Sequence, residues 1–303
     1  MPYSRRDIFR FLSSLPLFQA HWLIAEQSLA DEADTAIDNE APANPTRLLP
    51  VKPGEVTFLA GRACNGKSSL AMSIALDYAD ADAGDVWYFC SDGRSEEIAE
   101  QFGIELRQQP PPDHRVWPDQ RHFHAYKDGK HLPISFMDEW YASNRPLNNW
   151  NFWFPGLADQ NPALVIYDYD EIDCTTLSNI DEDLIASDLE RRRDECRHEF
   201  NAAILITMKI PSGNDLNRIN KEPHISELKP QRQTARDAIA NEVFFVHRPK
   251  LYSPEWSGND LDHIEVIRAS RVRHFIAHRI LVRDDASKRL RDPDSNELNL
   301  MLS

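Results

Sequence analysis

Gly61, Gly66, Lys67 and Ser68 stand at the spacing G-x-x-x-x-G-K-[ST], and that spacing specifies phosphate binding. The glycines let the backbone curl until successive N–H groups face one anion. The lysine ammonium reaches the terminal phosphate oxygens, and the serine hydroxyl ligates Mg2+. Arg62, Ala63, Cys64 and Asn65 complete the loop, and Ser69 opens the segment after it. Phosphoryl transfer also needs a carboxylate to hold a water on the metal. Residues 163–168 are an apolar run closed by an acid, so Asp168 is the expected metal partner. Asp170, Glu171 and Asp173 follow closely and either share that role or surround it. A group that orients the attacking water is expected just past another apolar run, and Asp92 follows 86–90. The alternative for Asp92 is a helix N-cap. Thr207-Met208-Lys209 closes a further apolar run, where a sensor of the γ-phosphate belongs.

These groups need a scaffold that brings strand ends together. The apolar, partly β-branched stretch 55–60 predicts a buried strand before the loop, and apolar residues at 70, 74 and 78 predict a helix after it. Further strands are expected at 86–90, 163–168, 202–207, 243–247, 264–268 and 277–282. Helical patterns occupy 181–200 and the segment leading to 240. Strands alternating with helices imply an α/β fold, with a mostly parallel central sheet flanked by helices. Residues 103–160 read as an irregular insert, rich in Pro, Trp, His and Asn, with some helix around 135–143. Its aromatics fit a satellite core or subunit contact better than a base-stacking platform. His114, His122, His124 and His131 lack the tight spacing of a metal site. Residues 1–30 are expected to carry one amphipathic helix, 31–49 a linker, 50–291 the main domain and 292–303 a frayed polar tail. Arg5-Arg6 superficially resembles a twin-arginine signal, but Pro16, Gln19, His21 and Glu26 interrupt the apolar stretch such a signal needs.

The net charge of −15 over 303 residues at first argues against a polyanionic partner, but its distribution is uneven. Residues 1–208 hold 18 basic and 35 acidic side chains, residues 209–291 hold 16 and 11, and residues 292–303 hold three acids and no base. A bound polyanion should therefore meet the 209–291 region. The cysteines at 64, 90, 174 and 196 form no C-x-x-C pair, which fits reduced thiols in the cytoplasm. No run approaches the roughly 18 apolar residues of a membrane helix.

In the order of these motifs, residues 50–283 resemble the RecA-like ATPase domain of DnaB-type replicative helicases. Residues 61–68 look like that family's phosphate loop, and Asp168-Tyr169 like its metal-binding Asp-Tyr. Cys90-Ser91-Asp92 falls where the family has Ser-Leu-Glu with its catalytic glutamate. Asn217-Arg218, Pro223 and Ser226-Glu227-Leu228-Lys229 resemble its loop and Ser-Asp-Leu-Arg segment. Arg248 to Tyr252 resembles its Arg-x-x-x-Tyr, and Arg271-x-Arg273 its Lys-x-Arg. The resemblance implies a P-loop NTPase that binds ATP and Mg2+. It also implies a homo-oligomeric ring, most simply a hexamer, in which Arg271 and Arg273 reach a neighbour's nucleotide. Arg248 would then lie near the nucleotide, and Lys229 and Arg232 would face single-stranded DNA. Helicase or translocase activity, with replication or mobile-element proteins as partners, follows from the same likeness. There are departures. Asp92 is shorter than glutamate, Met208 replaces a sensor glutamine, and His274-Phe275-Ile276 replaces glycines. No counterpart of the primase-binding domain is expected in 1–49. A different class of function also fits: an ATP-binding assembly scaffold, or a regulatory ATPase acting on protein partners with little turnover.

Overall fold

Apolar runs with both faces buried build the centre of the molecule. The computed structural model describes residues 44–91, 94–109, 121–139, 162–168, 201–210, 223, 242–251, 263–268 and 277–302. In chain order these form β1 (Val56–Gly61), α1 (Lys67–Asp80), β2 (Val86–Ser91), α2 (Ser95–Gln101), β3 (Glu105–Gln109), β4 (Arg121–Lys127) and β5 (Lys130–Glu139). There follow β6 (Leu164–Asp168), β7 (Ala203–Lys209), β8 (Glu242–His247), a single 3-10 turn (Pro249–Leu251), β9 (His263–Arg268), β10 (Ala277–Arg283), β11 (Leu290–Arg291) and α3 (Ser295–Leu302). All the described strands join one sheet in the order β11-β10-β9-β8-β1-β7-β6-β2-β5-β4-β3. From β8 to β5 every neighbouring pair is parallel. The strands beyond, β9 to β11 on one side and β4 and β3 on the other, pair antiparallel. The expected α/β architecture with a mostly parallel sheet is what forms.

Strand β1 is buried along its whole length. Leu59 joins an apolar cluster with helix α1, while Val56, Phe58 and Ala60 join a second cluster. Two covered faces explain why parallel strands read as continuous apolar runs rather than as alternation. Helix α1 is apolar around most of its circumference, and Leu70, Ile74 and Tyr78 are all buried as their spacing predicts.

Four expectations change. The stretch 103–160 is not irregular throughout, because β3, β4 and β5 extend the sheet past β2. The helix expected around 135–143 is strand as far as Glu139. The cause is a period of two: Phe123 and Ala125, then Ile134 and Phe136, point to the cluster shared with α1. Asp128 and Gly129 both take positive φ, 53° and 75°, and close the β4–β5 hairpin tightly. The expected linker 31–49 ends earlier, since residues 44–49 belong to the domain. Thr46, Leu48 and Leu49 are buried, and the Thr46 hydroxyl donates to Asp77 at 2.6 Å. The tail 292–303 is not wholly frayed. Asp294 Oδ1 accepts from the N–H groups of Asn296 and Glu297 at 2.8 Å, and Glu297 accepts from Asp294 N–H at 2.8 Å. That reciprocal capping box starts α3. The helices expected at 1–30, 181–200 and before 240 lie outside the described residues.

His122 and His124 lie on the face of β4 opposite Phe123, with ring centroids 5.0 Å apart, and His131 lies 5.3 Å from His124. Burial pushes His122 down to about 4, and the neighbouring His124 adds to this. Burial also lowers His124, with His131 second, while Asp85 opposes. The folded chain therefore favours neutral rings, whereas the unfolded chain takes up protons near 6.5. The contribution to stability is full above about pH 6.5 and is lost as the pH falls toward about 4. The urea midpoint should be lower at pH 5 than at pH 7.5, and His122→Gln should shrink that difference. A midpoint difference unchanged by the substitution would contradict the assignment.

Candidate nucleotide-binding site

The loop between β1 and α1 is shaped by what lies beside it. A Cβ on Gly61 would fall 2.7 Å from the Val246 carbonyl oxygen of β8. Gly66 takes φ 92°, and a Cβ there would meet Ile264 at 3.1 Å. Both glycines are therefore required by close approach, and Gly66 also by its left-handed backbone. Between them Asn65 is fully buried and its Nδ2 donates to the same Val246 carbonyl at 3.0 Å. The loop is thus fastened to the end of β8, two residues before Arg248.

Gly66 is the N-cap of α1 and offers no side-chain cap. The first-turn N–H groups of a helix without such a cap are donors for an anion, and the helix dipole adds to their attraction. Lys67, 3 % exposed, donates from Nζ to the Arg62 carbonyl at 2.9 Å. Its ammonium therefore lies across the loop it would share with a phosphate. Arg62 is buried, Ala63, Ser68 and Ser69 are half-buried, and Cys64 is exposed with φ 61°.

Asp168, at the end of β6, is 1 % exposed. Its Oδ1 accepts from the Thr207 hydroxyl of β7 at 2.9 Å, and its Oδ2 accepts from the Tyr88 hydroxyl of β2 at 2.9 Å. The Tyr88 hydroxyl also lies 3.5 Å from the Ser68 carbonyl of α1. Tyr88 therefore bridges the acid of β6 and the helix that follows the loop. Its ring stacks on Phe136 with centroids 5.1 Å apart. Burial, and then the Asp168 charge, push the Tyr88 phenol well above its usual range, so it acts as a donor. The same causes in the same order raise the Cys90 thiol. Parallel register completes the edge, with Cys90 beside Asp168 and Gly61 beside Lys209.

The structure thus brings Asp168, the end of β7 and the first turn of α1 after the loop 61–66 to one edge of the sheet. Thr207 meets Asp168, whereas Met208, placed at the sensor position, is buried in an apolar cluster. Tyr88 is a site residue that sequence reasoning does not single out, since a tyrosine within an apolar run carries no motif. Asp92, Lys229, Arg232, Arg271 and Arg273 lie outside the described residues. Among the described residues no group of three or more His, Cys, Asp or Glu is arranged to hold a metal ion. The Ser68 hydroxyl and the Asp168 carboxylate are hard oxygen donors, and Tyr88 touches both Asp168 and the Ser68 backbone carbonyl. Such a set fits Mg2+, which takes few protein ligands and completes its shell with water and phosphate oxygens.

No family model and no curated protein sequence matches this chain. Solved structures do. One, described as a DnaB-like replicative helicase and its interactions with primase, superposes with a TM-score of 0.57 at 17 % identity. It covers 89 % of this chain, which in turn spans 66 % of that one. Another, described as an ATPase domain, gives a TM-score of 0.57 at 16 % identity over 89 % of this chain and 98 % of its own length. At these identities the likeness shows the fold alone, the α/β fold that this chain shares with those two structures.

Removing one donor from a buried carboxylate leaves part of its desolvation uncompensated. Tyr88→Phe should lower unfolding stability by about 1–2 kcal/mol in urea titrations. No change would mean that the Tyr88–Asp168 contact contributes nothing.

Proposed function

We propose that the chain is a Mg-ATP-dependent ring ATPase of the DnaB-like type that moves on single-stranded DNA in the cytoplasm. The observation that carries this reading is the coupling of Asp168, through Tyr88, to the helix that opens at the phosphate loop. The fold shared with helicase ATPase domains supports it.

Each residue then has a task. The loop N–H groups and Lys67 hold the β- and γ-phosphates, and Lys67 exchanges the Arg62 carbonyl for a phosphate oxygen. Ser68 and Asp168 hold Mg2+, which when bound neutralises charge on the phosphate oxygens. Asp92 orients the attacking water. Arg248 lies at the nucleotide edge, and Arg271 and Arg273 act on the nucleotide of a neighbouring subunit, which requires a closed ring such as a hexamer. Lys229 and Arg232 contact DNA phosphates, giving sequence-independent, salt-sensitive binding. Replication or mobile-element proteins are the fitting partners, and one structural neighbour is described by its interactions with primase.

One observation favours a second reading, an ATP-binding assembly scaffold or a regulatory ATPase on protein partners with little turnover. Met208, 5 % exposed, places an apolar side chain where the resemblance expects a polar sensor.

ATP hydrolysis with and without single-stranded DNA, with Lys67→Ala as the blank, separates the two. The motor predicts turnover stimulated by DNA about tenfold or more and abolished in Lys67→Ala. Turnover indifferent to DNA, or no better than the blank, would overturn it in favour of the scaffold or regulator.

A further inference from the structure

Three polar side chains meet on the face of the sheet that carries α1. Tyr88, Ile166 and Leu205 belong to the apolar cluster shared with that helix. Side chains alternate along a strand, so Asp168 and Thr207, each two residues further on, face the same way. All three are buried.

Register shows why a tyrosine is needed. Cys90 stands level with Asp168, and Tyr88 stands level with Ile166. Tyr88 is therefore two residues behind the acid, about 7 Å along the strand. A short side chain would not cross that offset. The phenol does, and its hydroxyl lies 2.9 Å from Asp168 Oδ2. The stack on Phe136 holds the ring in that direction. Thr207 needs no such reach and covers Oδ1 from the other flank at 2.9 Å.

Tyr88 has one hydroxyl hydrogen and two acceptors in range. The hydrogen goes to the nearer and charged one, Asp168. The Ser68 carbonyl, at 3.5 Å, then limits how closely the first turn of α1 and the acid approach each other. Each carboxylate oxygen accepts more than one hydrogen bond, so the two donors orient Asp168 without exhausting it.

We propose that Tyr88 and Thr207 are positioning residues for the divalent cation that accompanies ATP. Together they fix the rotation of the Asp168 carboxylate, and Tyr88 also fixes its spacing from the first turn of α1. This rests on the Mg-ATP reading above. Removing an outer hydrogen bond from a metal-binding group commonly costs about 10- to 100-fold in metal affinity. Mg2+ demands near-ideal octahedral geometry, whereas Ca2+ accepts flexible shells of variable number. A carboxylate left free to rotate should therefore weaken Mg2+ more than Ca2+.

The test uses the full chain as parent, Tyr88→Phe, Thr207→Val and Thr207→Ser. Affinity for a fluorescent ATP analogue is measured in EDTA, in Mg2+ and in Ca2+. Tyr88→Phe and Thr207→Val should bind within about threefold of the parent in EDTA, yet lose about tenfold or more of the tightening by Mg2+. Their response to Ca2+ should fall less. Thr207→Ser keeps the hydroxyl and should keep most of the Mg2+ response. A role confined to packing would lower affinity equally in EDTA and Mg2+, and that result overturns the proposal. So does equal weakening of Mg2+ and Ca2+, or a Tyr88→Phe chain that responds to Mg2+ as the parent does. A parent whose affinity ignores Mg2+ overturns the Mg-ATP reading itself, and the cation role of both residues with it.

Discussion

The burial of the Asp168 carboxylate is the constraint around which the sheet edge is arranged. A carboxylate removed from water among apolar strands is unfavourable unless its oxygens are hydrogen-bonded. Tyr88 and Thr207 satisfy it from the two flanking strands. Both donors reach it only while β2, β6 and β7 keep their parallel register, since a slip of one residue turns each side chain to the opposite face. One acid thereby ties three strands into a fixed edge. The same tyrosine reaches the first turn of α1, so the phosphate loop is positioned relative to the acid rather than independently of it.

The loop has a second anchor. The Val246 carbonyl accepts from buried Asn65 and stands where a Cβ on Gly61 would clash. Sequence dictates both features at once: a glycine because the neighbouring strand is too close for a side chain, and an amide because the carbonyl needs a donor. Lys67 is turned inward onto the Arg62 carbonyl, within the loop that these anchors hold. Asp168 governs one side of the site and β8 the other, while Asp138 holds α2 at the next strand along.

Much of this is legible in the sequence where one residue carries one strong signal. The phosphate loop is short and local, and the central strands are apolar runs because both faces are covered. The outer strands β3 to β5 are obscured by composition. Histidines, prolines and tryptophans draw attention from the period of two at Phe123, Ala125, Ile134 and Phe136, and from the Asp128-Gly129 turn. The capping box at Asp294 and Glu297 stands in a segment whose polarity alone suggests fraying. The Asp138–Ser95 contact spans 43 residues, and Tyr88 lies 80 from Asp168. Pairings of that separation arise from topology, and a single sequence holds no local trace of them.

The central claim is that the loop, Asp168 and Ser68 form one nucleotide site that works with Mg2+. The most direct measurement is calorimetric titration of ATP, with and without Mg2+, into the parent, Lys67→Ala and Asp168→Asn chains. The account predicts saturable binding of one nucleotide per chain that Mg2+ tightens. Binding should be lost in Lys67→Ala, and the Mg2+ effect should be lost in Asp168→Asn. Equal affinity in all three chains, or none in the parent, would contradict it.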